Sequence, residues 1–342
     1  MTDSLLMIKA EEILEKIEDG KPVEYENVII LGDLDLSRLD LAFNKNNRKI
    51  IKSTIKIEYS VIKGDVFFDR SVFTKLVDFD GSTFNKAADF SDSLFMEDAG
   101  FSSAQFQEEA KFSRANFMTE ANFSRAKFDV DAEFGNARFH KHLNLDSAKI
   151  YTMRLSDAAF EDGSSLNLTD LDFNRIVVRW ETIKNHFPYN GSVYLALTKN
   201  FRNLEQFEDG DDCYYQYRRE KQVRAISPVS KLLDRLAFIS CGYGVRPSHT
   251  ILLSFTVILL FTGIFWSGNV IRIDSPALQV NQTHYISIKD AFYFSSMEFL
   301  GRSPPQNLHI LGSYEYLTVI EALTGWILMA LFLVTLSKVM LR

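Results

Sequence analysis

Residues 88–128 read ADFSDSLFMEDAGFSSAQFQEEAKFSRANFMTEANFSRAKF. Phenylalanine recurs at alternating spacings of five and six, at Phe90, Phe95, Phe101, Phe106, Phe112, Phe117, Phe123 and Phe128. Two positions before each stands a small residue: Ala88, Ser93, Ala99, Ala104, Ala110, Ala115, Ala121 and Ala126. Working outward, the 11-residue period takes in Phe68, Phe73, Phe79, Phe84, Phe134 and Phe139, and continues less strictly through Leu145, Ile150, Leu155 and Phe160. Self-similarity of this kind marks a solenoid. An 11-residue period also suits a right-handed helical supercoil. On a helix, however, the second Phe of a pair falls about 140° from the first and the small residue about 160° from its Phe, so no shared stripe forms. In extended backbone, residues two apart point to the same side. Each unit then gives a short strand with two inward side chains, and the polar residues between make a turn. If one coil takes two periods, Ile57 to Phe160 makes about five coils stacked about 4.8 Å apart.

The pattern resembles the pentapeptide-repeat family, whose units carry a small residue, one spacer and a central Leu or Phe. The resemblance covers about residues 28–172 and implies a right-handed quadrilateral β-helix. The sixth residue in alternate units leaves the turn type on alternate edges open. Some members of that family are thought to mimic DNA with an acidic surface. Here Glu97, Asp98, Glu108, Glu109, Asp129 and Asp131 are interspersed with Lys111, Arg114, Arg125, Lys127, Arg138 and Lys141, which favours a solvated face and no nucleic-acid partner. His140 and His142 are alternate strand residues, expected at the surface; no metal-ligand or nucleophile spacing stands out, so no catalytic residue, metal or cofactor is expected.

The C-terminal part has a different character. Pro247 to Ile271 contains no Asp, Glu, Lys or Arg, and Tyr316 to Ser337 contains only Glu321. Each run exceeds the roughly 20 residues needed to cross a bilayer. Between them Ile288 to Leu300 is apolar but too short to span. Net charge is -7, yet Tyr214 to Thr250 is basic, with Arg218, Arg219, Lys221, Arg224, Lys231, Arg235 and Arg246 against Glu220 and Asp234. The positive-inside bias then puts both termini in the cytoplasm of a multi-pass plasma-membrane protein, with Lys338 and Arg342 closing the second span. The loop carrying Arg272, Lys289 and Arg302 against Asp274, Asp290 and Glu298 would lie outside. Two cysteines, Cys213 and Cys241, are too few for a disulfide framework.

Residues 1–20 read as an amphipathic helix, centred on Ser4 to Glu18. Residues 180–246 read as linker helices: Val193 to Phe207, then Asp211 to Ala225 after a break at Glu208-Asp209-Gly210, then a segment opened by Ser227-Pro228. That last segment sets Leu232, Leu233, Leu236, Ala237 and Ile239 beside Lys231 and Arg235, the composition of an interfacial helix under the bilayer. For Tyr214, Tyr215, Tyr217, Arg218 and Arg219, ordinary helical-hairpin packing stands beside it.

Residues 247–342 resemble the pore module of the two-transmembrane-helix potassium-channel superfamily. The likeness rests on the run from Asp290 to Ser295, a Gly-containing turn, Glu321 to Gly325, and Ala330 to Thr335. Potassium-selective members carry Thr-Val-Gly-Tyr-Gly, whose carbonyls replace the ion's water. Here Met297 to Pro305 holds one Gly and two Pro, so that ladder is not reproduced. The candidate filter is Glu298, Phe299, Leu300, Gly301, Arg302 and Ser303. A ring of Glu298 would attract cations; Arg302 could instead pair with it or attract anions, and both could merely stabilise the loop. The candidate pore-lining or gate residues are Glu321, Gly325, Met329, Phe332 and Leu336, at helical spacing. Glu321 either faces a cavity or braces the short helix; Gly325 matches the family's hinge position or serves close packing.

The sequence therefore predicts a mixed architecture: β-helix, linker helices and an α-helical pore module with a re-entrant helix. The expected function is a homo-tetrameric ion channel, not an enzyme, with inorganic cations as permeant ions and membrane lipid around it. The alternative is a non-conducting, membrane-anchored β-helix scaffold for a protein partner.

Overall fold

The computed structural model of the chain describes residues 5–273, 286–303 and 308–340. Ser4, Asp274, Pro304, Pro305 and Arg342, named above, lie outside them. The chain divides into two compact units, Met1–Tyr214 and Tyr215–Arg342.

The first unit is a parallel β-solenoid of about eight turns. Its strand ladders step by 22 residues on four faces. Val66 pairs with Ala88, Ala110 and Ala132 in succession. Val61, Thr83, Gln105 and Lys127 form the second ladder. Ile55, Val77, Ala99 and Ala121 form the third, and Val72, Leu94, Asn116 and Arg138 the fourth. One coil is therefore two 11-residue periods. Near the start, Ile29 faces Val61 and Leu34 faces Val66, so this coil carries ten more residues than the rest.

The two corner types settle what the alternating spacing means. In the five-residue steps the amide of Ala104 donates to the carbonyl of Phe101, and those of Ala115 and Ala126 donate likewise to Phe112 and Phe123. The third residue of each turn, Ser103, Arg114 and Arg125, has φ of 58, 57 and 56°. A closed four-residue turn with positive φ only at its third position is type II. The same left-handed φ returns every eleven residues from Tyr59 to Ser147, with Gly only at Gly81. The six-residue steps turn without it, and the sixth residue is the extra length that this wider corner takes.

Inside, the small residues and rings form columns. Ala88, Ala99, Ala110 and Ala121 are fully buried, as are Phe90, Phe101, Phe112 and Phe123. Rings one coil apart stack nearly parallel: Phe84 on Phe106 at 4.6 Å, Phe101 on Phe123 at 4.9 Å and Phe112 on Phe134 at 4.9 Å. Aromatic pairs add about 0.5–1.5 kcal/mol each beyond burial, so the columns reinforce the coil-to-coil hydrogen bonds.

Both ends are sealed. Residues 1–20 are not one helix. Leu6–Lys9 is a strand in register with Val28–Leu31, and the helix, α1, is Ala10–Glu18, burying Ala10, Ile13, Leu14 and Ile17. Backbone pairing won over the helical pattern at Leu6–Lys9 because an unpaired first coil would leave its edge bare. The solenoid thus begins before residue 28, and it continues past 172 to the strand Asp172–Val177. There α2 (Trp180–Ile183), α3 (Gly191–Asn203) and the start of α4 (Phe207–Arg224) close it. Asn200 of α3 stands in for a next coil: its Oδ1 accepts from the Ile176 amide at 2.9 Å and its Nδ2 donates to the Ile176 carbonyl at 2.8 Å. Buried Asp209 accepts from the Trp180 amide and pairs with Arg179. The linker break at Glu208-Asp209-Gly210 is not observed. The chain turns at Leu204 to Gln206, with Glu205 at φ 60°, and Gly210 lies within α4, where a Cβ would stand 3.4 Å from Phe201. That glycine serves close α3–α4 packing.

The second unit holds the rest of α4, then α5 (Pro228–Cys241), α6 (Pro247–Ser267), α7 (Ile288–Phe299) and α8 (Glu315–Met340). Ile271–Ile273 and Leu308–Ile310 form an antiparallel ribbon beyond α6. Two of these helices, α6 and α8, are long and apolar enough to cross a membrane.

Candidate functional site

The site is the meeting of α6, α7 and α8. Ser287 caps α7 by accepting from the Lys289 amide, and Asp290 in the first turn complements the helix dipole. One side of α7 buries Ala291, Phe294 and Ser295 against α6 and the ribbon, with Phe265 edge-on to Phe294 at 5.3 Å. Its last turn lies on α8. A Cβ at Gly325 would stand 2.0 Å from the carbonyl oxygen of Phe299, so only glycine lets the two backbones meet.

The termination of α7 follows from residues 297–302. The Arg302 amide donates to the Met297 carbonyl and the Gly301 amide to the Glu298 carbonyl, both at 2.9 Å, with Gly301 at φ +66°. This is a Schellman closure. A Cβ at Gly301 would also strike the Trp326 indole, 2.4 Å from its Nε1. The segment named above as a candidate filter thus begins in a helix stop, with the carbonyl of Glu298 already accepting a hydrogen bond.

At the centre lies Glu321, fully buried. Its Oε1 accepts from the Ser295 hydroxyl, whose oxygen also lies 3.0 Å from the Ile258 carbonyl, while its Oε2 has no hydrogen-bond partner among the described residues. Ser295 therefore links all three helices. The sequence signal for it was a hydroxyl on a short apolar helix, together with the lone carboxylate of the second long apolar run. Ser295 and Trp326 were not singled out from sequence as site residues.

The remaining candidates separate by exposure. Phe299 is buried, Glu298 half-buried, and Leu300, Gly301, Arg302 and Ser303 exposed. On α8, Glu321 and Gly325 face α7, Phe332 and Leu336 are half-buried, and Met329 is 37 % exposed. The structure therefore joins Glu321 to Ser295 and Gly325 to Phe299, and leaves Met329 off the buried side.

At the other end of α6 a tight elbow, Gly242–Gly244, has all three residues left-handed. Tyr243 is held there despite its side chain. Its hydroxyl donates to Gln222 at 2.9 Å, its ring meets Tyr215 and Phe238, and the Arg218 guanidinium lies 5.0 Å from its centroid. Arg218 also pairs with Asp234 of α5. Tyr215, which also meets the His249 ring of α6, and Arg218 thus lock α4, α5 and the start of α6 together. Cys213 is buried and its thiol is pushed up to about 12 by that burial, which makes it unreactive.

Comparison with known families places pentapeptide repeats, described as nine copies, at residues 68–115 and 101–149. These are the coils with the most regular Phe columns. No curated protein and no solved structure matches the chain significantly.

Proposed function

We propose that this chain is one subunit of a tetrameric plasma-membrane ion channel that conducts cations without strict potassium selectivity. On this reading the pentapeptide-repeat solenoid is a cytoplasmic regulatory or scaffold domain. The observation that carries the proposal is the seating of α7. A short apolar helix is fixed by its C-terminal backbone to Gly325 and by Ser295 to both long helices, with the exposed segment Leu300–Ser303 beside it. Such a unit supplies one wall of a pore, and closed symmetry supplies the others.

Two features support a membrane setting. Large apolar side chains on α6 and α8, among them Leu252, Phe255, Leu260, Ile327, Leu333 and Val334, are more than half exposed. The hydroxyls of Thr256, Thr262, Ser267, Thr324 and Thr335 close onto carbonyls of their own helices, as hydrocarbon demands. The basic stretch before α6 supports cytoplasmic termini.

Because Met297 and Glu298 carbonyls are occupied by the Schellman closure, a backbone ladder is unavailable there, and selectivity falls to side chains. Glu298 is assigned to attract cations, with Arg302 as the competing ring; Phe332 and Leu336 are assigned to closure by dewetting. The test is a flux assay in liposomes together with the native mass of the assembly. Cation flux from a tetramer supports the proposal; a monomer with no flux favours a non-conducting anchored scaffold.

A further inference from the structure

The helix α5 presents two opposed faces. One, with Asp234, Ala237, Phe238 and Cys241, packs against the rest of its unit through the Arg218 pair, the Tyr243 ring and the start of α6. The other carries Val229, Leu232, Leu233, Leu236 and Ile239, which are 46–64 % exposed, and no residue of α5 is fully buried. On a helical projection these five span about 120°, with Lys231 and Arg235 along one edge. The only acid on α5, Asp234, lies on the packed face and is paired with Arg218.

This apolar face has a neighbour of the same character. The elbow Gly242–Gly244 joins α5 directly to α6, the Thr250 hydroxyl donates to the Ser240 carbonyl at 2.7 Å, and His249 reaches the Phe238 carbonyl at 2.9 Å. The end of α8 arrives at the same place, with Lys338 Nζ 3.9 Å from where a Cβ at Gly244 would stand. The exposed apolar surface of α6 begins within its second turn, at Ile251 and Leu252. The Leu/Ile face of α5 therefore belongs to a helix that is packed directly on the start of α6, whose own exposed apolar surface begins one turn further on.

We infer that α5 lies in the membrane interface, its Val229, Leu232, Leu233, Leu236 and Ile239 face dipped among acyl chains and its Lys231 and Arg235 on anionic phospholipid headgroups. The inference rests on the reading of α6 and α8 as spanning helices, and does not require conduction. Five apolar side chains in the interface give the affinity, and the two cations add a dependence on anionic lipid that salt screens. Because Tyr215, Arg218 and Gln222 of α4 hold the elbow, the depth of α5 is then coupled to the helix that leaves the solenoid unit.

The test is spin labelling of the full chain in a Cys241→Ser background, where buried Cys213 does not react. Single cysteines are placed at Leu236, at Lys231 as the aqueous reference, and at Leu259 in mid-α6 as the lipid reference. The protein is reconstituted in phosphatidylcholine vesicles with and without phosphatidylglycerol. The label at 236 is expected to be relaxed by oxygen as at 259 and shielded several-fold from an aqueous nickel chelate relative to 231. Phosphatidylglycerol should deepen it, and Lys231→Gln with Arg235→Gln should abolish that increment. Equal nickel access at 236 and 231 while 259 stays in lipid overturns the inference and leaves the spanning reading intact. Spin–spin broadening at 236 would identify a second copy as the occupant and also overturn it. Aqueous access at 259 would overturn the spanning reading, and the inference with it.

Discussion

Gly325 of α8 and the carbonyl oxygen of Phe299 are in direct backbone contact, with 2.0 Å between that oxygen and the position a Cβ would take. The contact fixes where α7 ends, and the end of α7 fixes where Glu298 to Ser303 project. Gly325→Ala must push backbone, not a flexible side chain. It is expected to destabilise the helical unit by about 3 kcal/mol or more. Gly263→Ala in α6, where nothing lies within 4 Å, is the neutral control. Thermal unfolding in detergent, and flux at a temperature where both variants stay folded, should separate the two.

The Ser295 link makes a second prediction. Ser295→Ala leaves Glu321 buried with neither oxygen partnered and should cost about 2 kcal/mol. Adding Glu321→Leu should restore most of that loss, because an apolar side chain needs no partner there. Ser296→Ala, whose hydroxyl bonds within its own helix to the Phe292 carbonyl, should cost less than Ser295→Ala. A double-mutant cycle read by chemical denaturation gives the coupling.

In the solenoid, Asp80 is raised to about 6 by burial first and by the charge of Asp78 second, although its Oδ1 accepts from the Ser102 amide at 2.7 Å. A carboxyl raised by folding destabilises when charged. The penalty is complete above about pH 6, shrinks as pH falls, and is gone below the ordinary carboxylate value near 3.8. Asp80→Asn should therefore be more stable than the parent by on the order of 1 kcal/mol at pH 7.5, after allowing for the group's partial exposure. Denaturation at pH 7.5 and pH 4 should show that advantage shrinking to near zero.

Asn200 seals the last coil through both polar groups of Ile176. Asn200→Leu leaves a buried amide and a buried carbonyl unpaired, a loss of roughly 2–4 kcal/mol. Its signature is local: hydrogen exchange should accelerate at Asp172–Val177 and not at the coils around Phe90–Phe128.

What was legible in the sequence follows how repetitive each signal is. Phe101 and Ala99 sit in a pattern repeated many times, so extended backbone, inward positions and the 11-residue period could all be read, while the two-period coil stood only as a condition until the strand pairing fixed it. The two long apolar helices and α7 were legible because uninterrupted apolar runs need no partner to be recognised, and α7 ends within one residue of the Leu300 expected for it. The seals were not legible. Asn200 and Asp209 act once each, through side-chain groups whose partners are distant in sequence. The strand Leu6–Lys9 was hidden because its apolar spacing continues into α1, and only pairing with Val28–Leu31 distinguishes it. Gly210 and Gly301 show the same ambiguity. A glycine reads alike whether it breaks a helix, closes one or admits a neighbouring backbone.

The most direct test of the channel reading is the reversal potential of the purified protein in planar bilayers under potassium, sodium, calcium and chloride gradients, for the parent, Glu298→Gln and Arg302→Gln. The account predicts cation-selective currents weakened by Glu298→Gln and little changed or enhanced by Arg302→Gln. Silence of the parent across voltage, tension and ligand screens, from protein shown to be inserted and assembled, would contradict it.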